Sequence, residues 1–189
     1  VAEVTGRLRI EAVQFGGGTP SLLSPHQMSS LMEVIRMSFC LQDGAELSLE
    51  VFPDSEITEE RLAGWRQAGI NRLSFGVQCF DDDIKRALER TDSVCENLEL
   101  IKNAAAQGYE NVNIDLMCGV PGQDMDSWER TLQLSLGLNP AHVCVFPVSV
   151  RHPGTHLYEC LASLPPQSLT RQMYDMAVSY LRGAGFERM

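Results

Sequence analysis

The feature that most restricts the fold is a repeated order of segments: a helical pattern, a glycine, then a short apolar run. Ala68-Gly69-Ile70, Gln107-Gly108-Tyr109 and Ala184-Gly185-Phe186 each put a glycine where a helix stops, the residue for which a left-handed backbone costs least. Strand-like runs lie at 10–15, 45–52, 72–77, 112–117 and 143–150, short, apolar and flanked by turn residues. The helices between them also begin alike. Ser24-Pro25-His26-Gln27 is a capping box with proline at the first helical position, and Ser93 with Glu96 and Asp126 with Glu129 set the same cap and third-position acceptor. Strands alternating with helices require a parallel sheet joined by crossovers, either open and doubly wound or closed as a barrel. No linker, low-complexity tract or further repeat interrupts this order, so residues 1–189 read as a single domain.

Composition narrows the class of partner. With 44% hydrophobic and 21% charged residues the chain can bury one sizeable core. The net charge of −10 argues against nucleic acid, whose phosphates demand a basic face, and favours a small-molecule site. No apolar run approaches the roughly 20 residues of a membrane span, and no basic segment leads into an apolar signal region, which fits a cytoplasmic protein. The six cysteines at 40, 79, 95, 118, 144 and 160 include no Cys-x-x-Cys pair and read as reduced, mostly buried small hydrophobes.

Ligands of α/β sheets bind beyond the carboxyl ends of the strands, so the residues there carry the functional reading. The first run ends in Gly16-Gly17-Gly18-Thr19, the second in Glu50, the third in Gln78, the fourth in Asp115, and the fifth in Ser149 followed by Arg151. Glu50 and Asp115 sit inside apolar runs, where an unpaired carboxylate costs several kcal/mol, of order 3–5, of desolvation. Any one of these groups is equally well explained by a structural network; five polar ends at one rim point to a ligand. The glycines do not follow the G-x-G-x-x-G spacing, and the next helix opens only at Ser24, too late for a phosphate on its N-terminus. A dinucleotide site is disfavoured. A tight turn would need one glycine, whereas three allow a ligand to approach the backbone.

Phe15-Gly16-Gly17-Gly18-Thr19-Pro20-Ser21, Leu49-Glu50, Leu73-Ser74-Phe75-Gly76-Val77-Gln78-Cys79-Phe80, the run from Asn113-Ile114-Asp115 to Val120-Pro121-Gly122-Gln123, and Pro153-Gly154-Thr155 together resemble the successive motifs of radical S-adenosylmethionine (SAM) proteins. Within that superfamily they are similar to the oxygen-independent coproporphyrinogen III oxidase group, which includes closely similar heme chaperones. The resemblance runs from about Ile10 to the end of the chain, in order and spacing. It implies an α/β fold, a partial (β/α) TIM-like barrel of parallel strands with outer helices. It also implies a [4Fe-4S] cluster whose open iron binds SAM, with cleavage to methionine and a 5′-deoxyadenosyl radical that abstracts hydrogen from substrate. Carried over by position, Gly17, Gly18 and Thr19 would contact the methionine moiety, and Glu50, Gln78, Arg90 and Asp115 match positions that bind one SAM or a second. Glu50 and Asp115 suit ribose hydroxyls or an ammonium, Arg90 suits a carboxylate, and Ser149 is a weaker correspondence.

The family holds its cluster with cysteines spaced Cys-x-x-x-Cys-x-x-Cys upstream of the glycine-rich turn, and this chain has no such spacing. The expectation is therefore a partial barrel without its first strand unit, a cluster only in a full-length parent, and self-association through the exposed sheet edge. Gly185-Phe186-Glu187-Arg188-Met189 resembles the start of a further strand. His152, His156 and Cys160 fall at four-residue spacings, but Pro153 and Gly154 break the helix that would align them as metal ligands. Asp81-Asp82-Asp83 precedes a helix from Ile84 to Arg90 and reads as complementing its dipole rather than binding a cation. The parent reads as an oxidoreductase acting on porphyrinogen propionates. The rival readings are a chaperone that binds and transfers heme, toward which Gly122 and Phe15 lean, and a radical SAM methyltransferase-type enzyme.

Overall fold

The computed structural model describes residues 7–149 and 156–188. Five strands, β1 (Arg9–Phe15), β2 (Cys40–Val51), β3 (Arg72–Gln78), β4 (Asn111–Cys118) and β5 (His142–Pro147), pair in parallel in the order 1-2-3-4-5. A doubly wound sheet reverses its strand order at a switch point; this one does not. Every crossover advances in one direction, so the sheet is a segment of a (β/α) barrel, which decides between the two alternatives left by the sequence. Crossing between the strands are α1 (Pro25–Ser38), α2 (Glu59–Ala68), α3 (Asp82–Ala87), α4 (Val94–Ala106) and α5 (Met125–Gly137), followed by α6 (His156–Glu159) and α7 (Gln167–Gly183).

The period of two in the strands separates their faces. Leu47, Leu49, Val51, Leu73, Phe75, Val77, Val112, Ile114 and Leu116 are all buried in one core with Met28, Met32, Leu62, Trp65, Leu100, Trp128 and Met173 from the helices. The indole N–H of Trp65 donates to the Leu23 carbonyl at 3.0 Å and that of Trp128 to the Met173 carbonyl at 2.7 Å, so neither large side chain leaves a buried donor unmet. The intervening positions, Ser48, Glu50, Arg72, Ser74, Asn113 and Asp115, lie on the opposite, inner face.

Capping follows the expected chemistry with one correction. Ser24 and Gln27 form the capping box of α1 with Pro25 in its first turn, and Ser93 and Glu96 form that of α4. At α5 the cap is Asp124, not Asp126: the Asp124 side chain accepts from Ser127 N at 2.8 Å and the Ser127 hydroxyl reciprocates. Asp126 instead occupies the first turn. Asp81 caps α3 by accepting from the amides of Asp83 and Ile84, and that helix starts at Asp82 rather than Ile84 and ends at Ala87. β2 begins five residues before the expected 45, because Cys40 and Leu41 pair with Arg9 and Ile10 across an irregularity that holds Gly44 at a positive φ. β5 ends at Pro147, so Ser149 lies two residues beyond it; Arg151, His152 and Pro153-Gly154-Thr155 lie outside the described residues. Helix α7 packs closely on Gly119, just past β4. A Cβ there would stand 2.3 Å from Thr170 Oγ1 on α7, and φ is +84°.

Candidate functional site

The inner face is polar from strand to strand because the register aligns its polar positions. Gln14 lies opposite Ser48, Ser48 opposite Arg72, Glu50 opposite Ser74, Ser74 opposite Asn113, and Asp115 opposite Cys144. They line a cavity of about 270 Å³ together with Glu46 and the half-exposed Phe146 ring. A second cavity of about 800 Å³ lies along β5 beneath α7 and shares Arg72 and Cys144 with the first.

Glu50 is held at the mouth of the glycine-rich turn. Its carboxylate accepts from Gln14 Nε2 at 3.0 Å and from the Gly17 amide at 3.4 Å. A Cβ on Gly16 would stand 2.6 Å from Glu50 Oε1, so the first of the three glycines makes room for this carboxylate. Gly17 and Gly18 adopt positive φ, 78° and 59°, with nothing within 4 Å of a Cβ on either, so they form the exposed bend itself. Thr19 precedes a short 3-10 turn, Pro20–Leu22, and its side chain does not cap it. Thus the turn divides its tasks: one glycine accommodates Glu50, two expose backbone.

Asp115 sits three residues inside the end of β4 rather than at its terminus. It accepts from the Ser74 hydroxyl at 3.0 Å and from Asn113 Nδ2 at 2.7 Å, and Asn113 Nδ2 also donates to Ser74 Oγ at 2.7 Å. Among the described residues neither Glu50 nor Asp115 has a Lys or Arg within ion-pair distance. The side-chain and backbone donors to both carboxylates are neutral. The Cys144 thiol donates to Asn113 Oδ1 at 3.4 Å; burial first, then the Asp115 charge, pushes it above its ordinary range, so it stays protonated. Arg72 pairs with Glu46 at 3.6 Å, and Asn111 links to both. His142, partly buried beside Arg72, is held below its ordinary value.

Gln78 closes β3 with φ at +69°, where the pairing with β4 slips by one residue; this bulge re-aims the side chain at the strand end. Arg90 follows α3, its guanidinium 4.3 Å over the Phe52 ring just past β2 and its Nε donating to Asp92 at 2.8 Å. Its Nη2 is buried and has no hydrogen-bond partner among the described residues. Ser149 is exposed beyond β5. The structure thus gathers Glu50, Asp115 and the glycine turn about one concave face, with Gln78 and Arg90 at its rim. Gln14, Ser74 and Asn113, which fix the carboxylates, were not singled out in the sequence; the alternation in Arg72-Leu73-Ser74-Phe75 and Asn111-Val112-Asn113-Ile114-Asp115 is the signal that marks them.

The model of the radical SAM superfamily matches residues 1–135. This chain belongs to the radical SAM superfamily. The heme chaperone HemW of Bacillus subtilis is 33% identical over 189 residues, 97% of this chain and 49% of that protein. The oxygen-independent coproporphyrinogen III oxidase of Bradyrhizobium diazoefficiens is 35% identical over 147 residues, 77% of this chain and 32% of that one. The solved structure of coproporphyrinogen III oxidase HemN from Escherichia coli superposes with a TM-score of 0.84 at 32% identity, over 95% of this chain and 42% of that chain. The chain spans about half the length of the curated relatives it matches. Its fold is the α/β partial barrel of that superfamily.

SAM and a [4Fe-4S] cluster are the superfamily's cofactors. Among the described residues no group of three or more His, Cys, Asp or Glu side chains could hold a metal ion. No helix among them is long and apolar enough to cross a membrane.

Proposed function

We propose that the inner face of this half-barrel binds SAM and that the protein acts on a tetrapyrrole. The single observation that carries the reading is the Glu50 clasp: a carboxylate fixed by Gln14 and by the Gly17 amide, beside a bare turn and lining the same cavity as Asp115 two strands away. The chemistry of the donors fits the ligand. SAM presents a sulfonium, an ammonium, a carboxylate and ribose hydroxyls. The cavity offers three carboxylates, Glu46, Glu50 and Asp115, against the single guanidinium of Arg72, and such a face attracts a cationic ligand. The Gly18 amide and the carbonyls of the exposed Gly17 and Gly18 suit the methionine moiety, with the Thr19 hydroxyl beside them. Glu50 and Asp115 accept from ammonium or ribose hydroxyls, and Gln78 and Ser149 supply neutral hydrogen bonds at the rim. Arg90, whose Nη2 is an orphaned buried donor, suits the carboxylate.

Bound SAM supplies a carbon-centred radical when an electron is delivered to it through a cluster. This chain's residues contribute binding and orientation, and the half-exposed Phe146 ring lines one side of the cavity. The tetrapyrrole reading is supported by relatives described as a coproporphyrinogen III oxidase and as a heme chaperone. Oxidative decarboxylation of porphyrinogen propionates is the first reading. Heme binding and transfer is the second, favoured by the heme chaperone relative that aligns over 97% of this chain. Calorimetric titration with SAM tests the site: Glu50→Gln, which keeps shape and removes charge, lowers affinity at least tenfold. Unchanged affinity in a folded variant would overturn the assignment. Anaerobic turnover of coproporphyrinogen against stoichiometric heme uptake separates the two tetrapyrrole readings.

A further inference from the structure

Three side chains buried beside the rim converge on one carboxylate. Lys85 on α3 is 1% exposed and Asn97 on α4 is 0% exposed, and both bind Asp92 in the connection between these helices. Lys85 Nζ donates to Asp92 Oδ2 at 2.5 Å, to Asn97 Oδ1 at 2.6 Å and to the Val77 carbonyl at 3.2 Å, which uses all three of its protons. Asn97 Nδ2 donates to the same Asp92 oxygen at 2.9 Å. The other oxygen, Oδ1, is left for Arg90 Nε at 2.8 Å. Burial alone pushes the Asp92 carboxyl up, but the hydrogen bonds from Arg90, Lys85 and Asn97 outweigh it and hold the group below its ordinary value. Asp92 is therefore a fixed carboxylate with one oxygen committed to structure and one to the guanidinium.

Lys85, which burial holds below its ordinary value, and Arg90 share this one anion, so the guanidinium has no carboxylate of its own. Such an arrangement is costly unless a further anion completes it. The guanidinium is clamped on two sides, by Asp92 at Nε and by the Phe52 ring against its face. The Arg90 side chain is 10% exposed and its Nη2 has no partner among the described residues. Phe52 directly follows β2 and Val77 is the penultimate residue of β3, so the clamp stands at the carboxyl ends of the strands that bear Glu50 and Gln78.

We propose that Asp92, held by Lys85 and Asn97, is a positioning residue that fixes Arg90 by its Nε edge so that Nη2 receives the carboxylate of the ligand's amino-acid moiety. The proposal rests on the SAM reading and adds the residues that aim its anion contact. The test uses two uncleaved probes on the whole chain: S-adenosylhomocysteine, which carries the amino-acid carboxylate, and methylthioadenosine, which shares the nucleoside and lacks it. In Asp92→Asn, with folding verified by its melting curve, homocysteine-probe affinity falls at least tenfold while methylthioadenosine affinity stays within twofold. Equal losses for both probes, or no loss for either, overturn the proposal, because a merely structural role moves both alike. Guanidinium N–H exchange provides a second readout if Asp92→Asn folds poorly or wild type binds neither probe, the latter being a failure of the SAM reading itself. The Arg90 Nε–H is protected in wild type and exchanges at least tenfold faster in Asp92→Asn, or in the gentler Asn97→Ser; unchanged protection overturns the positioning role on its own.

Discussion

Replacing Gly119 with alanine measures how tightly α7 is seated on the end of β4. Two costs add. A non-glycine residue at φ +84° loses roughly 1–2 kcal/mol to the left-handed conformation. The new methyl would also lie 2.3 Å from Thr170 Oγ1, 2.5 Å from its Cγ2 and 2.9 Å from its Cβ. Rotating Thr170 cannot clear the last of these, so α7 must retreat by about 1 Å to restore a carbon contact, an overpacking cost of roughly 1–3 kcal/mol. The total, about 2–5 kcal/mol, lowers the melting temperature by roughly 4–20 °C for a chain of this size. Gly122 provides the control: its φ is +79° and nothing lies within 4 Å of a Cβ, so Gly122→Ala carries the conformational cost alone. Scanning calorimetry of Gly119→Ala, Gly122→Ala and the double variant Gly119→Ala with Thr170→Ala reads the difference. The double variant recovers part of the loss, since Thr170→Ala removes the two closest atoms. Equal melting temperatures for the two glycine variants, with no recovery in the double, would refute the packing described here.

Gly16→Ala displaces the Glu50 carboxylate without a positive-φ cost, and so weakens SAM binding about tenfold, measured by calorimetry, while melting within about 3 °C of wild type. Gly17→Ala, with no atom near its Cβ, spares Glu50 and shows the opposite pattern of lower stability and a smaller binding loss. Burial pushes the Cys79 and Cys118 thiols up to about 11 from 9.0. Their folded-state values are raised, so the stability they contribute is present below pH 9 and is lost as pH rises toward 11, roughly 2–3 kcal/mol for each fully buried thiol. Urea denaturation at pH 8 and pH 11 detects the loss, and Cys118→Ala flattens it; an unchanged slope contradicts the burial of that thiol.

The strands were legible in the sequence because their helix-facing positions are uniformly apolar, and the helices because their caps are local. Where the reading missed a strand start or a buried network, a nonlocal partner decided; at one helix start a competing local pair did. β2 starts at Cys40 because β1 offers ladder partners to Cys40 and Leu41, which no pattern in the polar stretch Gln42-Asp43-Gly44 announces. The α5 cap falls on Asp124 because Ser127 can reciprocate, a pairing weaker in sequence than Asp126 with Glu129. At the site, Glu50 and Asp115 stood out as carboxylates in apolar runs and Gln78 as a polar strand end. Ser74 and Asn113, the donors that hold Asp115, looked ordinary until the register set them side by side. No sequence pattern marks Lys85, Asp92 and Asn97, and only packing of α3 and α4 against the end of β3 buries them together.

The most direct test of the central claim is a backbone amide NMR titration of the chain with SAM. Binding on the inner face shifts the amides of Gly17, Gly18, Glu50, Gln78 and Asp115 saturably, and Glu50→Gln weakens the titration. Shifts confined to the cavity between β5 and α7, around Val143, Ala177 and Phe186, or no saturable shift at any concentration tested, would contradict it.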